Sequence, residues 1–181
     1  MIPTDTLKHE HQIILMVLDA AEREVQRIQD TGKVRTEGVD KMLDFFRNFA
    51  DRCHHAKEEN LLFMKMQERG IPADSGPIAV MMYEHNEGRQ RLKAVAEAIP
   101  QAGSGDVAAI ASVTSNLSAY VQMLRAHIGK EDNILYPMAD RVLTPEDQQA
   151  LTEAFDRVEA EEMGAGMHER YHQLAHDLAR Q

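Results

Sequence analysis

Between Asp5 and Gln29 the apolar residues Leu7, Ile14, Leu15, Leu18, Val25 and Ile28 recur at spacings of three, four and seven, the stripe of an amphipathic helix. Gly32 stops it. A second stripe of Val39, Met42, Leu43, Phe46, Phe49, Cys53, Leu62 and Met66 predicts a helix from about Thr36 to Glu68. The run from Arg69 to Pro77 holds two glycines and two prolines and reads as a connection, with Pro77 suited to the first turn of a third helix that extends to about Ile99. Residues Pro100 to Asp106 form another break, and Asp106 is the expected N-cap of a fourth helix reaching about Val142, its last turns bent at Pro137. Thr144-Pro145-Glu146-Asp147 has the cap and first-turn chemistry of a further helix, interrupted near Gly164 and Gly166. Met167 to Arg180 is then a short helical tail.

Four long helices joined by short turns predict an all-α, up-down-up-down four-helix bundle over residues 1–142, with a helical extension over 143–181 packed on it. Composition agrees: aromatics are 5% of the chain, tryptophan is absent, and helix-favouring residues dominate. A chain of 181 residues with 43% hydrophobic content is long enough for a sizeable core. The single cysteine, Cys53, leaves no partner for an intramolecular disulfide and excludes sulfur-rich metal sites. A formal charge of -10, with Lys and Arg interspersed among Asp and Glu, argues against a nucleic-acid partner. There is no leader-like N-terminus and no approach to the roughly 18 to 20 apolar residues of a membrane span. The expectation is therefore a cytoplasmic protein with no membrane partner, a monomer or homodimer. No glycine-rich phosphate loop, nucleophile elbow or dinucleotide fingerprint is present.

The distinctive chemistry is a repeated pattern of Glu10-His11, His55 with Glu59, Glu84-His85, and His127 with Glu131. The interval from His11 to His55 is 44 residues and from His85 to His127 it is 42, so the chain reads as two near-equal halves. Residues four apart on a helix share a face, and each His/Glu pair can present a nitrogen and an oxygen to one interior point. With His11 and His85 added, all four helices contribute to a site for a pair of metal ions. If Glu59 and Glu131 bridge, coordination positions remain for water or a small exogenous molecule. Imidazole and carboxylate without thiolate suit iron, manganese or zinc. Asp132 competes with Glu131, but an offset of five residues from His127 turns about 500° and points away, whereas an offset of four turns about 400° and nearly returns.

Over roughly residues 5 to 140 the sequence resembles the hemerythrin-like proteins of the HHE cation-binding family, most closely at HHAKEENLLF (residues 54–63) and HIGKEDNILYP (residues 127–137). The resemblance implies metal ligands at His11, His55, Glu59, His85, His127 and Glu131, and makes the cofactor two non-haem iron ions with carboxylate bridges, other divalent metals being open. Oxygen-carrying members place a second histidine four residues away on the third helix, where this chain has Met81 or Arg89. A seventh ligand is missing or comes from Glu58, Tyr83, His168 or His172; His9 and His54 read as neighbours that point away. Fewer protein ligands imply more than one labile position. The implied function is to bind, sense or react with a small diatomic or peroxide ligand (O2, H2O2 or NO) in oxidative or nitrosative stress or an iron response. Two readings stand beside it: a non-enzymatic iron-responsive or structural metal-binding interaction protein, and a reversible O2 binder. Whether the chain is an enzyme stays open.

Overall fold

Helix α1 (Pro3–Thr31) ends at Gly32, whose φ of 65° turns its N–H back to the Ile28 carbonyl at 2.8 Å. The computed structural model describes residues 2–164 and 166–180, apart from the side chains of residues 162 and 163, and the described residues form six helices and no strand. Helix α2 spans 36–68, α3 is Gly76–Gly103, α4 spans 107–142, α5 spans 145–163 and α6 is Met167–Ala179. Short connections make α1 to α4 neighbours in chain order, and α4 closes the ring against α1. Helices α5 and α6 lie on the α1 and α2 side.

Three helices depart from plain α winding, and in α5 the departure is its last stretch, Val158–Met163. Residues Phe46–His55 and Glu58–Leu62 of α2 are wound as π-helix, as are Glu131–Leu135 of α4. Helix α3 also runs through Pro100, which the sequence reading placed in the break. Proline there forfeits one hydrogen bond in the last turn, but Ile99 and Ala102 on either side are buried and hold the turn in place. The turn ends at Gly103, where an added Cβ would come within 2.6 Å of Thr36 Cγ2, so the start of α2 and the end of α3 can meet only at a glycine. Asp106 caps α4, accepting from the Ala109 N–H at 2.7 Å.

The core is divided in two. One apolar cluster contains Ile14, Leu18, Phe45, Phe46, Leu92, Val95, Leu117 and Leu124. The other, at the opposite end of the bundle, contains Leu7, Leu62, Phe63, Met66, Ile78, Met81, Leu135 and Tyr136. Between them lies a layer of buried polar side chains, including His11, His54, His55, Glu58, His85, His127 and Glu131. The last two helices are built into both cores: Leu151 and Phe155 of α5 join the second cluster, and Tyr171, Ala175 and Leu178 of α6 join the first. Helix α4 is long and apolar enough, by length and composition, to cross a membrane. That is more than the sequence reading allowed it. Its apolar side, with Val113, Leu117, Val121, Leu124 and Ile128, is buried in the bundle core.

Helix α5 starts with a reciprocal cap. The Thr144 side chain accepts from the Asp147 N–H at 3.2 Å, and Asp147 Oδ2 accepts from the Thr144 N–H at 3.0 Å. Asp147 also takes two hydrogen bonds from Arg69, at 2.7 and 2.9 Å. Arg69 and the Thr144 N–H hold its carboxyl below the usual carboxylate range. Since the folded pKa is the lower one, this contribution to stability is present at neutral pH and is lost only as the pH falls well below the ordinary range of aspartate. Thr144→Ala removes the cap and is expected to cost about 1 kcal/mol, seen as a lower midpoint in chemical denaturation at unchanged helicity.

Candidate metal centre

Each bundle helix brings part of the polar layer inward. Helix α1 supplies His11, α2 supplies His54, His55 and Glu58, α3 supplies His85, and α4 supplies His127 and Glu131. Their ligand atoms fall into two sets, each within 4.8 Å: His55, Glu58, His85 and His127, and His11, His54, Glu58 and Glu131. Both carboxylates face both sets. Glu58 places Oε2 3.3 Å from His85 Nε2 and Oε1 3.8 Å from His54 Nε2. Glu131 places Oε1 3.1 Å from His127 Nε2 and Oε2 3.2 Å from His11 Nε2.

Of the residues singled out in the sequence, His11, His55, His85, His127 and Glu131 meet in this layer, and Glu59 does not. Glu58 takes the inner position, and Glu59 sits behind His85, accepting from its Nδ1 at 2.7 Å. His54, expected to point away, is 1% exposed and part of the second set. The segment HHAKEE contains the His/Glu pair twice, one residue out of register, so local spacing does not choose between 54/58 and 55/59. The apolar stripe does. Phe46, Ala50 and Leu62 are all fully buried, and steps of four from Phe46 pass through 50, 54, 58 and 62. In an α-helix each such step overshoots a full turn by about 40°. The π turns of α2 add a residue to the turn and offset that drift, which keeps His54, Glu58 and Leu62 on one face.

The other candidates fall elsewhere. Tyr83 is exposed, and His168 Nε2 lies outside the layer, 3.9 Å from Glu10 Oε1. The His172 ring lies tilted against His168, with centroids 4.4 Å apart, and edge-on to Phe49 at 5.7 Å. Asp132 accepts from His11 Nδ1 at 2.8 Å and so stands behind the imidazole. Tyr136, which the sequence reading passed over, donates to Glu58 Oε1 at 2.5 Å, with its oxygen 3.3 Å from His11 Nε2.

A second layer repeats one contact five times. Nδ1 of His11, His54, His55, His85 and His127 meets Asp132, Glu10, Asp51, Glu59 and Glu84, respectively, at 2.7 to 3.2 Å. An acceptor at Nδ1 fixes the ring's orientation and turns Nε2 inward, the arrangement found behind metal-bound histidines. Cations back most of these carboxylates: Lys57 on Glu10, Arg89 on Asp51 and Glu59, and Lys130 on Glu84.

The inner charges shift one another strongly. Burial works against a charged His11, but Asp132, Glu131 and Glu58 lift it to about 9. Burial likewise opposes a charged His127, which Glu131, Glu84 and Glu58 raise to about 10. His55 moves the other way, well below the usual imidazole range, through burial and the neighbouring His85. Burial would raise Glu131, yet His127 and His11 hold it well below the carboxylate range. Burial, Glu131 and Glu58 push Tyr136 well up, so it remains a neutral donor. The Cys53 thiol is pushed up to about 12, mainly by burial, and is no nucleophile.

Residues 2–139 match the hemerythrin HHE cation-binding domain. The chain belongs to that family. It is 29% identical over 136 residues to an iron-sulfur cluster repair protein, YtfE, of Edwardsiella ictaluri, covering 73% of this chain and 59% of that one. The YtfE of Pectobacterium atrosepticum is 27% identical over 146 residues, covering 78% and 63%. An uncharacterized protein of Mycobacterium tuberculosis is 22% identical over 160 residues, covering 88% and 62%. The chain thus spans about six-tenths of the length of the curated relatives it matches. No solved structure matches it.

Lys57 ties this layer to α5. Its ammonium is fully buried, donating to Glu10 Oε1 at 2.5 Å and to Glu159 Oε1 at 2.6 Å, with the Phe155 ring 5.7 Å away. Burial would raise the Glu10 carboxyl, but His54 and Lys57 outweigh it and bring it down to about 2. Lys57→Met leaves Glu10 buried without its cation and is expected to cost about 3 kcal/mol or more in urea denaturation at neutral pH.

Proposed function

We propose that the chain is a non-haem di-iron protein whose centre binds or reacts with a small diatomic or peroxide ligand in a stress or repair setting. His11 and His54 would hold one iron and His55, His85 and His127 the other, with Glu58 and Glu131 within reach of both sets. One observation carries this reading. Glu58 Oε2 and both oxygens of Glu131 are fully buried and have no well-aligned hydrogen-bond donor, although imidazole nitrogens stand 3.1 to 3.3 Å away. Buried carboxylate oxygens are expensive to leave unpartnered, and cations bridging them would satisfy all three.

The charge balance favours bound cations. Eight carboxylates (Glu10, Asp51, Glu58, Glu59, Glu84, Glu131, Asp132 and Glu159) face Lys57, Arg89 and Lys130. This is an excess of negative charge that the raised His11 and His127 offset in part and that bound cations would offset in their place. Five imidazoles with two carboxylates and no thiolate suit iron, which the family favours.

Bound iron supplies Lewis-acid and redox chemistry with coordination positions open to a small ligand. The protein supplies the rest. Five carboxylates take the Nδ1 protons and leave the Nε2 lone pairs for metal. Tyr136 keeps its proton and holds Glu58 Oε1. The two apolar clusters exclude bulk water and sharpen every electrostatic contact between them. The relatives named for iron-sulfur cluster repair favour damaged clusters, and the oxidants or nitric oxide that damage them, as the setting of this chemistry.

The purified chain is expected to carry about two irons, by elemental analysis, and its ferrous form to develop a new absorption band with nitric oxide, peroxide or air. A metal-free chain with no such band would end the reading; helices that unfold on chelation with no ligand band would favour a structural metal. Glu58→Ala is expected to drop the content below two, whereas Glu59→Ala keeps both ions and loses about 10- to 100-fold in affinity, the usual cost of removing a carboxylate behind a ligand histidine.

A further inference from the structure

Arg89 extends from α3, one turn beyond His85, and is partly exposed. Its Nη2 lies 2.7 Å from Asp51 Oδ1 and 2.8 Å from Glu59 Oε1, and its Nε donates to both Asp51 oxygens at 3.0 and 3.1 Å. The same two oxygens receive imidazoles: His55 Nδ1 meets Asp51 Oδ1 at 3.2 Å, and His85 Nδ1 meets Glu59 Oε1 at 2.7 Å. The two rings stack, with centroids 3.8 Å apart and planes 18° from parallel. The path His55, Asp51, Arg89, Glu59, His85 therefore closes on itself.

No other imidazole in the layer is held this way. Lys57 and Lys130 each back the carboxylate behind one histidine, and among the described residues Asp132, behind His11, has no cation within ion-pair distance. We propose that Arg89 is a positioning residue for the His55/His85/His127 half of the centre, locking the orientation and tautomer of His55 and His85 together through Asp51 and Glu59. The proposal rests on the di-metal reading for its consequence and on hydrogen-bond geometry for its cause. The planar fork of guanidinium donors can span two carboxylates at once; a lysine ammonium in its place is a single point charge on a flexible stem. Without the clamp, Asp51 and Glu59 face each other as unscreened anions at the edge of the bundle. Each can then swing to solvent and release the ring it holds.

The test uses the full chain and three proteins: wild type, Arg89→Lys and Arg89→Met. Iron content and the rate of iron release to a chelator are read with helicity as a control. Arg89→Met is expected to release one of its two ions about 10 to 100 times faster than wild type and the other at the wild-type rate, with Arg89→Lys in between. Equal acceleration of both ions, or none, overturns the proposal. A second readout is independent of metal: in the metal-free chain, histidine nitrogen NMR is expected to show altered tautomer signals for His55 and His85 in Arg89→Met and an unchanged His11. Unaltered His55 and His85 signals also overturn the clamp. A wild-type chain that takes up no metal would instead sink the di-metal centre, leaving these spectra to decide the clamp by themselves.

Discussion

Two carboxylates buried in the middle of a helical bundle set the terms for everything around them. Glu58 and Glu131 are both fully inaccessible, between two clusters of hydrocarbon. An ionised carboxylate in such a place is costly unless it is neutralised at close range. The protein answers in concentric layers of alternating character: imidazoles against the two acids, carboxylates behind the imidazoles, and Lys57, Arg89 and Lys130 behind four of those carboxylates. Each layer exists to satisfy the one inside it. Removing a member exposes its inward neighbour as an unpaired buried charge, which is why variants outside the inner layer are expected to reach the centre.

The same demand explains the local winding of the helices. Helix α2 has to aim His54, His55 and Glu58 inward within a space of five residues, and it does so where it is wound as π-helix. Helix α4 adopts the same winding from Glu131 onward. π turns are rare and concentrate at functional sites. In α2 and α4 they accompany the inner side chains and revert to α winding past the polar layer, at Phe63 and Tyr136; the π turns at the end of α5 carry no inner side chain among the described residues. The inner layer and the backbone geometry are one constraint seen twice.

That constraint also decides what the sequence could and could not disclose. Helix boundaries follow from Gly32, Asp106 and Thr144 because caps and left-handed glycines act within a few residues of themselves. The inward faces of His11, His85 and His127 follow from single registers on amphipathic stripes, and the angle from His127 separates Glu131 from Asp132. The HHAKEE segment is not legible in this way, because an α-helical wheel of fixed angle cannot represent a helix that changes its winding in the middle. The register expected from the sequence turns Glu59 inward and His54 outward, whereas Glu58 and His54 lie in the inner layer and Glu59 behind His85. Glu10, Asp51, Glu84 and Asp132 were visible only as acids near histidines; their role at Nδ1 depends on ring orientation, a tertiary property. Neither Met81 nor Arg89 on α3 provides a further donor, and α2, with two adjacent histidines, brings the imidazoles to five.

Residues beyond 142 belong to this electrostatic system as much as the four bundle helices do. Lys57 cannot be fully buried on the strength of Glu10 alone without leaving part of its ammonium unsatisfied, and the second carboxylate it uses, Glu159, comes from α5. Phe155, one turn earlier, covers the same ammonium and also fills the apolar cluster that seals one end of the polar layer. Helix α6 seals the other side, with Tyr171 against Phe45 and Phe49 and with Arg23 of α1 donating to the Leu178 and Ala179 carbonyls at its end. A bundle cut at residue 142 would retain all seven inner donors and still lose the acid that balances Lys57, which in turn fixes Glu10 behind His54. Through Lys57 and Glu10, α5 therefore bears on the orientation of the His54 imidazole.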